Sequence, residues 1–434
     1  MKKQLYDVIG IGVGPYNLGL AALLDEVDEV ESLFLERRES FDWHPGMLIE
    51  GTDLQVPFLA DLVTLADPRS RFTFLQYLHE QDRLYQFFFF NRFDIPRKEY
   101  NDYIKWAANK LDNCLLSREV TNVISHDEAE PFYEIVVLNR QTEEEERYFA
   151  KHVVLGTGTI PAIPKGVEHL PKSDVLHTSK YLYHEKDFKN ADSITVIGSG
   201  QSAAEVFYDL LYAQADNGYD LNWFTRTSGF FQLESAKLGQ EVFSPDYVEY
   251  FHSLSFEQRM DALPALGQLR KGIDKETLKS IYDLLYHRSV ANEKAAVRIQ
   301  PATALKEIKS NEKSGYSLTL HQWQEEKTFT IDTNKVILAT GYKPNIPDWI
   351  TKFQDDIVWE DEKRFKVSAN YEIEFKQKRK NRLFTLVNIE HSHGAGATNL
   401  GLAVQRNQTI INTITGKEVY PIRNNTVFQQ FSSE

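Results

Sequence analysis

Two glycine turns carry the residues best suited to chemistry in this sequence. In the first, Gly10, Gly12 and Gly14 alternate between an apolar run, Leu5 to Ile11, and a stretch in which Leu18, Leu20, Ala21, Ala22 and Leu24 keep helical spacing. A strand, a tight turn and a helix in that order aim free backbone N–H groups at one spot, where a pyrophosphate can be held. Glycine is needed there because a Cβ would push the backbone off the phosphates. A second apolar run, Val30 to Leu35, ends in Glu36, 22 residues after Gly14 (14 to 36). That is close to the spacing of roughly 20 residues at which a carboxylate meets an adenosine ribose. The turn departs from the usual fingerprint at its end, where Pro15 follows Gly14 and the next glycine is Gly19.

The second turn lies in Ser193-Ile-Thr-Val-Ile-Gly-Ser-Gly-Gln-Ser-Ala-Ala-Glu205. Gly198 and Gly200 fill the first two positions, and Ala203 the third, where a small residue suffices for helix–strand packing. The next apolar run, Leu221 to Thr225, ends in Arg226 in place of an acid, 26 residues after Gly200 (200 to 226). A cation at that point suits a ribose 2′-phosphate; alternatively, Arg226 is a solvated strand-end residue. One acidic and one basic ribose reader make FAD in the first unit and NADPH in the second the economical interpretation.

The sequence contains no apparent nucleophile–base triad or carboxylate pair. The one cysteine, Cys114, permits no disulfide within the chain and no Cys-x-x-Cys redox pair, which excludes a disulfide reductase. His391 and His393 alternate in a glycine loop without a third ligand, so no metal site is expected. A net charge of −14 disfavours nucleic acid and anionic membrane and favours cationic substrates. Met1-Lys-Lys precedes an apolar run, but Asp7 and the glycine turn interrupt it and no small-residue cleavage site follows. No stretch of 18 apolar residues occurs, so a cytoplasmic protein without a transmembrane helix is expected.

The 434 residues are enough for two or three domains. The pattern predicts an α/β fold of two Rossmann-like dinucleotide-binding domains, for FAD and NADPH, with a small, mainly helical substrate-binding insertion. The expected boundaries are 1–187 for the first part of the FAD domain and 188–335 for the NADPH domain. The insertion occupies about 240–295, and 336–434 is the second part of the FAD domain. Lys151 to Gly158 and Lys335 to Pro344 are both apolar strands running into glycine, read as returns of the chain to the FAD domain. A helix with Phe72, Phe74, Leu75 and Leu78 on its apolar face follows the polar turn at 66–70. Tyr85 to Phe93, with Phe87 to Phe90 in a row, reads as a doubly buried strand. Arg97 to Leu111 reads as an amphipathic helix.

Several segments together resemble the flavin-dependent N-hydroxylating monooxygenases of siderophore biosynthesis, the lysine/ornithine N-monooxygenase family. The carriers are Gly10-Ile-Gly-Val-Gly-Pro-Tyr-Asn-Leu18, Phe41-Asp-Trp-His-Pro-Gly-Met47, Leu54-Gln-Val-Pro-Phe-Leu59 and Asp67-Pro-Arg-Ser-Arg-Phe-Thr-Phe-Leu75. Gly198-Ser-Gly-Gln-Ser-Ala-Ala-Glu205, Ala339-Thr-Gly-Tyr342, His393-Gly394 and Asn399-Leu400 complete the set. The resemblance implies FAD, NADPH and dioxygen, a C4a-hydroperoxyflavin and hydroxylation of a primary amine, with the cofactor supplying the difficult chemistry. It assigns Pro15, Asn17, Leu18, Trp43, His44, Met47, Gln55, Gln201, Ser202, Glu205, Thr340, Gly341, His393, Asn399 and Leu400 to the cofactors, beside the glycines, Glu36 and Arg226. A homo-oligomer is also implied.

Family members acting on ornithine or lysine show Phe-Leu-Lys-Asp-Leu, whose lysine pairs with the substrate α-carboxylate. Here the segment is Phe58-Leu-Ala-Asp-Leu62, with Ala60 in the lysine position. Gln240 stands near a family asparagine, and Arg270-Lys-Gly-Ile-Asp-Lys-Glu276 replaces a Thr-Asn-Tyr segment. Burying an unpaired carboxylate costs several kcal/mol, and a diamine has none to bury. The departure resembles the diamine branch and implies putrescine or cadaverine, with Glu241 or Glu390 as the expected partner of the distal ammonium. L-lysine or L-ornithine as substrate is the alternative, and a non-catalytic flavoprotein or an uncoupled NADPH oxidase the reading from another class.

Overall fold

The computed structural model describes residues 4–127, 129–290, 296–311 and 315–433. The end of the expected insertion, at 291–295, lies outside the described residues. Leu5–Ile11 is a strand, and it sits inside a sheet ordered Cys114–Leu115, Ser32–Leu35, Leu5–Ile11, Glu145–Leu155, Phe132–Asn139, Arg118–His126. Leu383–Thr385 adds a further parallel partner to Glu145–Leu155. The apolar, unalternating runs at 8–11, 33–35 and 153–155 form parallel strands covered on both faces. The first turn then opens into the Pro15–Leu24 helix, which has proline in its first turn and is buried from Asn17 to Leu24.

A second sheet is parallel throughout and ordered Val175–His177, Lys335–Leu338, Ser193–Ile197, Asp220–Phe224, Val297–Gln300. Its strand Ser193–Ile197 leads through Gly198 and Gly200 into the Gln201–Asn217 helix, which stops at Gly218 in the left-handed region, φ 72°. Lys335–Leu338 was expected to return to the first unit, yet it pairs with Ser193–Ile197 at the centre of the second sheet. Val175–His177, ahead of the expected boundary at 187/188, also belongs to this sheet. The chain crosses between units at Thr159–Pro161 and Tyr342–Pro344, which pair antiparallel with each other. An apolar strand ending in glycine does not say which sheet it joins; that depends on long-range pairing.

Tyr85–Phe93 is not a buried strand. Leu84–Phe90 is a short helix with no buried residue, ended by Asn91 in the left-handed conformation at φ 52°. Four consecutive phenylalanines on a helix point in all directions, so only part of the run can face the core. Phe87 packs edge-on against Phe58 and Phe74 at 5.2 and 5.6 Å, whereas Tyr85, Phe88 and Phe89 are 81, 71 and 77% exposed. The preceding helix begins at Phe74, capped by Thr73, and Tyr77 rather than Leu75 joins Phe74 and Leu78 in the core. The helix expected from Arg97 spans Arg97–Lys110.

Between the second sheet's strands lies the helical insertion, Pro245–Ser253, Phe256–Ala262 and Lys275–Arg288. The C-terminal tail crosses it: the backbone N–H groups of Asn425 and Thr426 donate to Asp246, and Phe431 meets the rings of Tyr247 and Tyr250.

Candidate active site

The first turn is built so that its glycines and Asn17 interlock. Gly12 takes φ 86°, and a Cβ there would lie 2.7 Å from the Gly156 carbonyl oxygen. The buried Asn17 amide donates to the carbonyls of Gly12 at 2.7 Å and Ile11 at 3.3 Å, while its own carbonyl oxygen has no partner. Asn17 thus fixes the turn from beneath, and Leu18 is core. Gly14 precedes the helix with no side-chain cap, and a Cβ on it would meet nothing within 4 Å. That open, uncapped N-terminus fits an anionic phosphate. Glu36 accepts from the backbone N–H groups of Val13 at 2.9 Å and Arg38 at 3.0 Å, which brings its carboxylate to the turn.

The second turn repeats the design. A Cβ on Gly198, at φ 146°, would collide with the Ala339 carbonyl, while Gly200 precedes its helix uncapped and with open space around it. Arg226 is exposed beyond the end of Asp220–Phe224 and makes no side-chain ion pair among the described residues. Its cation is therefore available to a phosphate. Ser202 sits in the first turn of the helix. Gln201 and Glu205 face elsewhere: Glu205 is paired with Arg97, and Gln201 donates to Glu205 at 3.0 Å. Both are engaged within the protein.

The Trp43–Met47 loop bridges the two units. Met47 is buried in the core of the second unit, and a Cβ on Gly46 would lie 2.7 Å from the Ser179 carbonyl carbon. Trp43 packs against His44 and Tyr100 at 4.8 and 5.3 Å. His44, at φ 50°, faces the Tyr342 ring, and burial together with nearby Arg97 lowers its pKa to about 4. Gln55 is exposed on the strand Asp53–Pro57. The Thr340 hydroxyl donates to the Ala162 carbonyl, and the Gly341 carbonyl contacts His177 Nε2 at 3.0 Å. His393 is buried, stacked 4.2 Å from Tyr371 with Nδ1 2.8 Å from Ser392 Oγ, and burial holds its pKa well below the ordinary value. His391 Nε2 lies 2.9 Å from the Phe365 carbonyl oxygen, so the histidine pair is used inside the fold.

Asn399 caps the Leu400–Thr415 helix, its side-chain oxygen accepting from Gly401 at 2.9 Å and Leu402 at 3.3 Å. Ala60 packs against this turn, 3.5 Å from where a Cβ on Gly401 would stand. Next to Asn399, Thr398 accepts from Arg270, whose guanidinium is ion-paired with Glu390. Ala60 thus packs on one side of segment 398–401, and Arg270 of the insertion links Glu390 to Thr398 of the same segment. Glu241 is elsewhere engaged, accepting the backbone N–H groups of Phe428 at 3.1 Å and Gln429 at 2.9 Å, and Gln240 donates to the Glu234 carbonyl. Arg270 was noted in the sequence only as a departure from a motif, and Arg97 only as the start of a helix. Their partners are far away in the chain, and no local pattern announces them.

A sequence model of the L-lysine 6-monooxygenase/L-ornithine 5-monooxygenase family matches residues 4–344. The chain belongs to this family. A putrescine N-hydroxylase of Acinetobacter baumannii is 39% identical over 430 residues, covering 99% of this chain and 94% of that protein. The FAD-bound cadaverine monooxygenase of the desferrioxamine pathway of Erwinia amylovora superposes with a TM-score of 0.94 at 37% identity, covering 100% of this chain and 99% of that one. An ornithine N-hydroxylase from Kutzneria, solved with reduced FAD, NADP+ and L-ornithine, gives a TM-score of 0.88 at 27% identity over 95% of this chain and 99% of that one.

Proposed function

We propose that this family member hydroxylates one primary amine of an aliphatic diamine, putrescine or cadaverine, using FAD, NADPH and dioxygen, for a hydroxamate siderophore. When bound, FAD reduced by NADPH would activate dioxygen, an oxygen atom of which is transferred to the amine. The residues of the chain position and shield. Gly12 and Gly14 ahead of Pro15–Leu24 would hold the FAD pyrophosphate, with Gly10 in the preceding strand leaving room for the Phe34 ring, and Glu36 would hold the adenosine ribose. Gly198 and Gly200 hold the second pyrophosphate and Arg226 the 2′-phosphate. The substrate amine must be neutral to react, and a desolvated pocket favours that form. The domain division follows the sheets, with the nucleotide unit running from about the Thr159–Pro161 crossing to the Tyr342–Pro344 crossing.

The observation that carries the diamine reading is the charge at segment 398–401. The lysine position is Ala60, and the nearby cation, Arg270, is already neutralised by Glu390. An α-carboxylate would have to break that pair, whereas a distal ammonium can share Glu390 with it. The amino-acid reading is favoured by one fact, that Arg270 is a guanidinium at this segment which a carboxylate could capture. Hydroxylamine formed per NADPH consumed, measured for putrescine, cadaverine, ornithine and lysine, decides. Preference for an amino acid overturns the reading, and peroxide with no hydroxylamine from any amine supports the uncoupled oxidase.

The protein is also proposed to be a cytoplasmic homo-oligomer; no helix among the described residues is long and apolar enough to cross a membrane. Tyr85, Phe88, Phe89 and Phe93 expose roughly 600 Å² of aromatic surface per copy, taking ~200 Å² for a whole side chain. Two such faces meeting bury roughly 1,200 Å², the lower bound for a stable interface. The flanking cations Arg83 and Arg92 are paired internally with Glu99 and Asp53, which suits a neutral contact between copies.

A further inference from the structure

Arg97 and Glu205 meet across the two units. Arg97 opens the helix Arg97–Lys110, which packs in the first unit beside the strand Asp53–Pro57. Glu205 lies in the helix that begins at Gly200, directly behind the second glycine turn. The guanidinium grips the carboxylate with both nitrogens, at 2.8 and 2.7 Å, and also donates to the Met47 carbonyl at 3.0 Å. The two side chains are only 13 and 3% exposed. Glu205 receives a third bond from Gln201 at 3.0 Å, and Gln201 in turn donates to the Thr277 hydroxyl at 3.0 Å and accepts the Asp274 N–H at 2.8 Å. Asp274 caps the helix Lys275–Arg288 of the insertion. One buried chain of hydrogen bonds thus runs from the first unit through the second turn into the insertion.

A buried ion pair adds little net stability, because desolvation offsets the attraction, but a bidentate pair tolerates very little sliding or rotation. Resting on the two-cofactor reading, we propose that Arg97 is a positioning residue. Through Glu205 it fixes the nucleotide-binding unit in register with the flavin-binding unit, and through Gln201 it ties the insertion to the same register. Hydride transfer between two bound cofactors is acutely sensitive to their separation, and a displacement of about 1 Å costs about a hundredfold in rate.

The test uses the FAD-loaded full-length protein and three variants: Arg97→Lys, Glu205→Gln, and the double variant Arg97→Met with Glu205→Leu. Replacing both partners by apolar groups removes the unpaired charge, so the double variant regains a melting temperature near that of the parent protein. Anaerobic stopped-flow flavin reduction at saturating NADPH is expected to slow by about tenfold to a hundredfold in all three, while FAD content is retained. Small-angle scattering of the same samples is expected to show a larger radius of gyration. A double variant with parental reduction rate and parental scattering overturns the proposal, because the pair would then serve stability alone. Failure of the parent protein itself to be reduced by NADPH overturns the two-cofactor reading instead, and with it the proposal.

Discussion

Gly156 ends the strand Glu145–Leu155 and has no role in the sequence beyond being small, yet its contacts make it a sensitive probe of the flavin turn. A Cβ there would stand 2.5 Å from the Asn17 Cγ and nearer still to the amide nitrogen. Asn17 must then leave its place, releasing the Gly12 and Ile11 carbonyls. Two hydrogen bonds at about 1 kcal/mol each, plus the Gly12 carbonyl left without a donor while the Ile11 carbonyl keeps the Gly156 N–H, give a cost of about 2–4 kcal/mol for Gly156→Ala. FAD binding has to restore the turn, so its Kd is expected to rise by about thirtyfold or more, at 1.4 kcal/mol per tenfold. Equilibrium titration of apoprotein with FAD by flavin fluorescence measures this. Gly14→Ala is the comparator, because its added Cβ meets no protein atom within 4 Å. That variant is expected to keep the apoprotein melting temperature while weakening FAD, since only a phosphate would feel the methyl group. If Gly156→Ala binds FAD within about threefold of the parent, Asn17 does not hold the turn and the reasoning fails.

Ala60→Lys places an ammonium beside segment 398–401, which the diamine's own ammonium must approach; at about 6 Å and an effective dielectric near 20 the repulsion is about 3 kcal/mol, or about a hundredfold in kcat/KM for putrescine. Unchanged diamine kinetics with full FAD content would place Ala60 outside the substrate site. His44 and His152 both have pKa values lowered to about 4, chiefly by burial, from an ordinary value near 6.5. Folding therefore keeps them neutral while the unfolded chain takes up protons. Stability contributed by neutral histidine is intact above about pH 6.5 and falls as pH drops toward 4, by about 3 kcal/mol per histidine. Urea melts from pH 7.5 to 4.5 are expected to show a shallower decline in His152→Gln, and an identical decline would refute the assignment. Phe88→Ser with Phe89→Ser is expected to lower the sedimentation-equilibrium mass of the holoenzyme without loss of FAD, and an unchanged mass would move the interface elsewhere.

The two glycine turns were legible because their strand, glycines and helix are local, although the close approaches that require glycine, Gly156 against Gly12 and Ala339 against Gly198, come from far along the chain. Strand, turn, helix and Glu36 all fall within one short stretch, and Glu36 closes on Val13 and Arg38 inside it. The phenylalanine run at 87–90 was illegible for the opposite reason: four identical apolar residues have no period, so neither the helix nor its outward face is encoded in the pattern. Glutamates show the same division. Glu205 follows a nucleotide motif and resembled a cofactor residue, but its partner Arg97 lies 108 residues earlier in the chain. Glu241 lies in the motif region and resembled an ammonium partner, but the tail arrives 187 residues later to occupy it. An acid's chemistry depends on which donor reaches it first, and spacing reports only donors on the same supersecondary unit. Among the four glutamates singled out, Glu36 met local donors, and Glu205 and Glu241 were claimed by distant ones. Glu390 is joined to segment 398–401 through a partner, Arg270, that is only partly buried. Displacing such a pair costs far less than breaking the buried Arg97–Glu205 pair, which is the difference that the two proposed roles, ammonium partner for Glu390 and register clamp for Glu205, require.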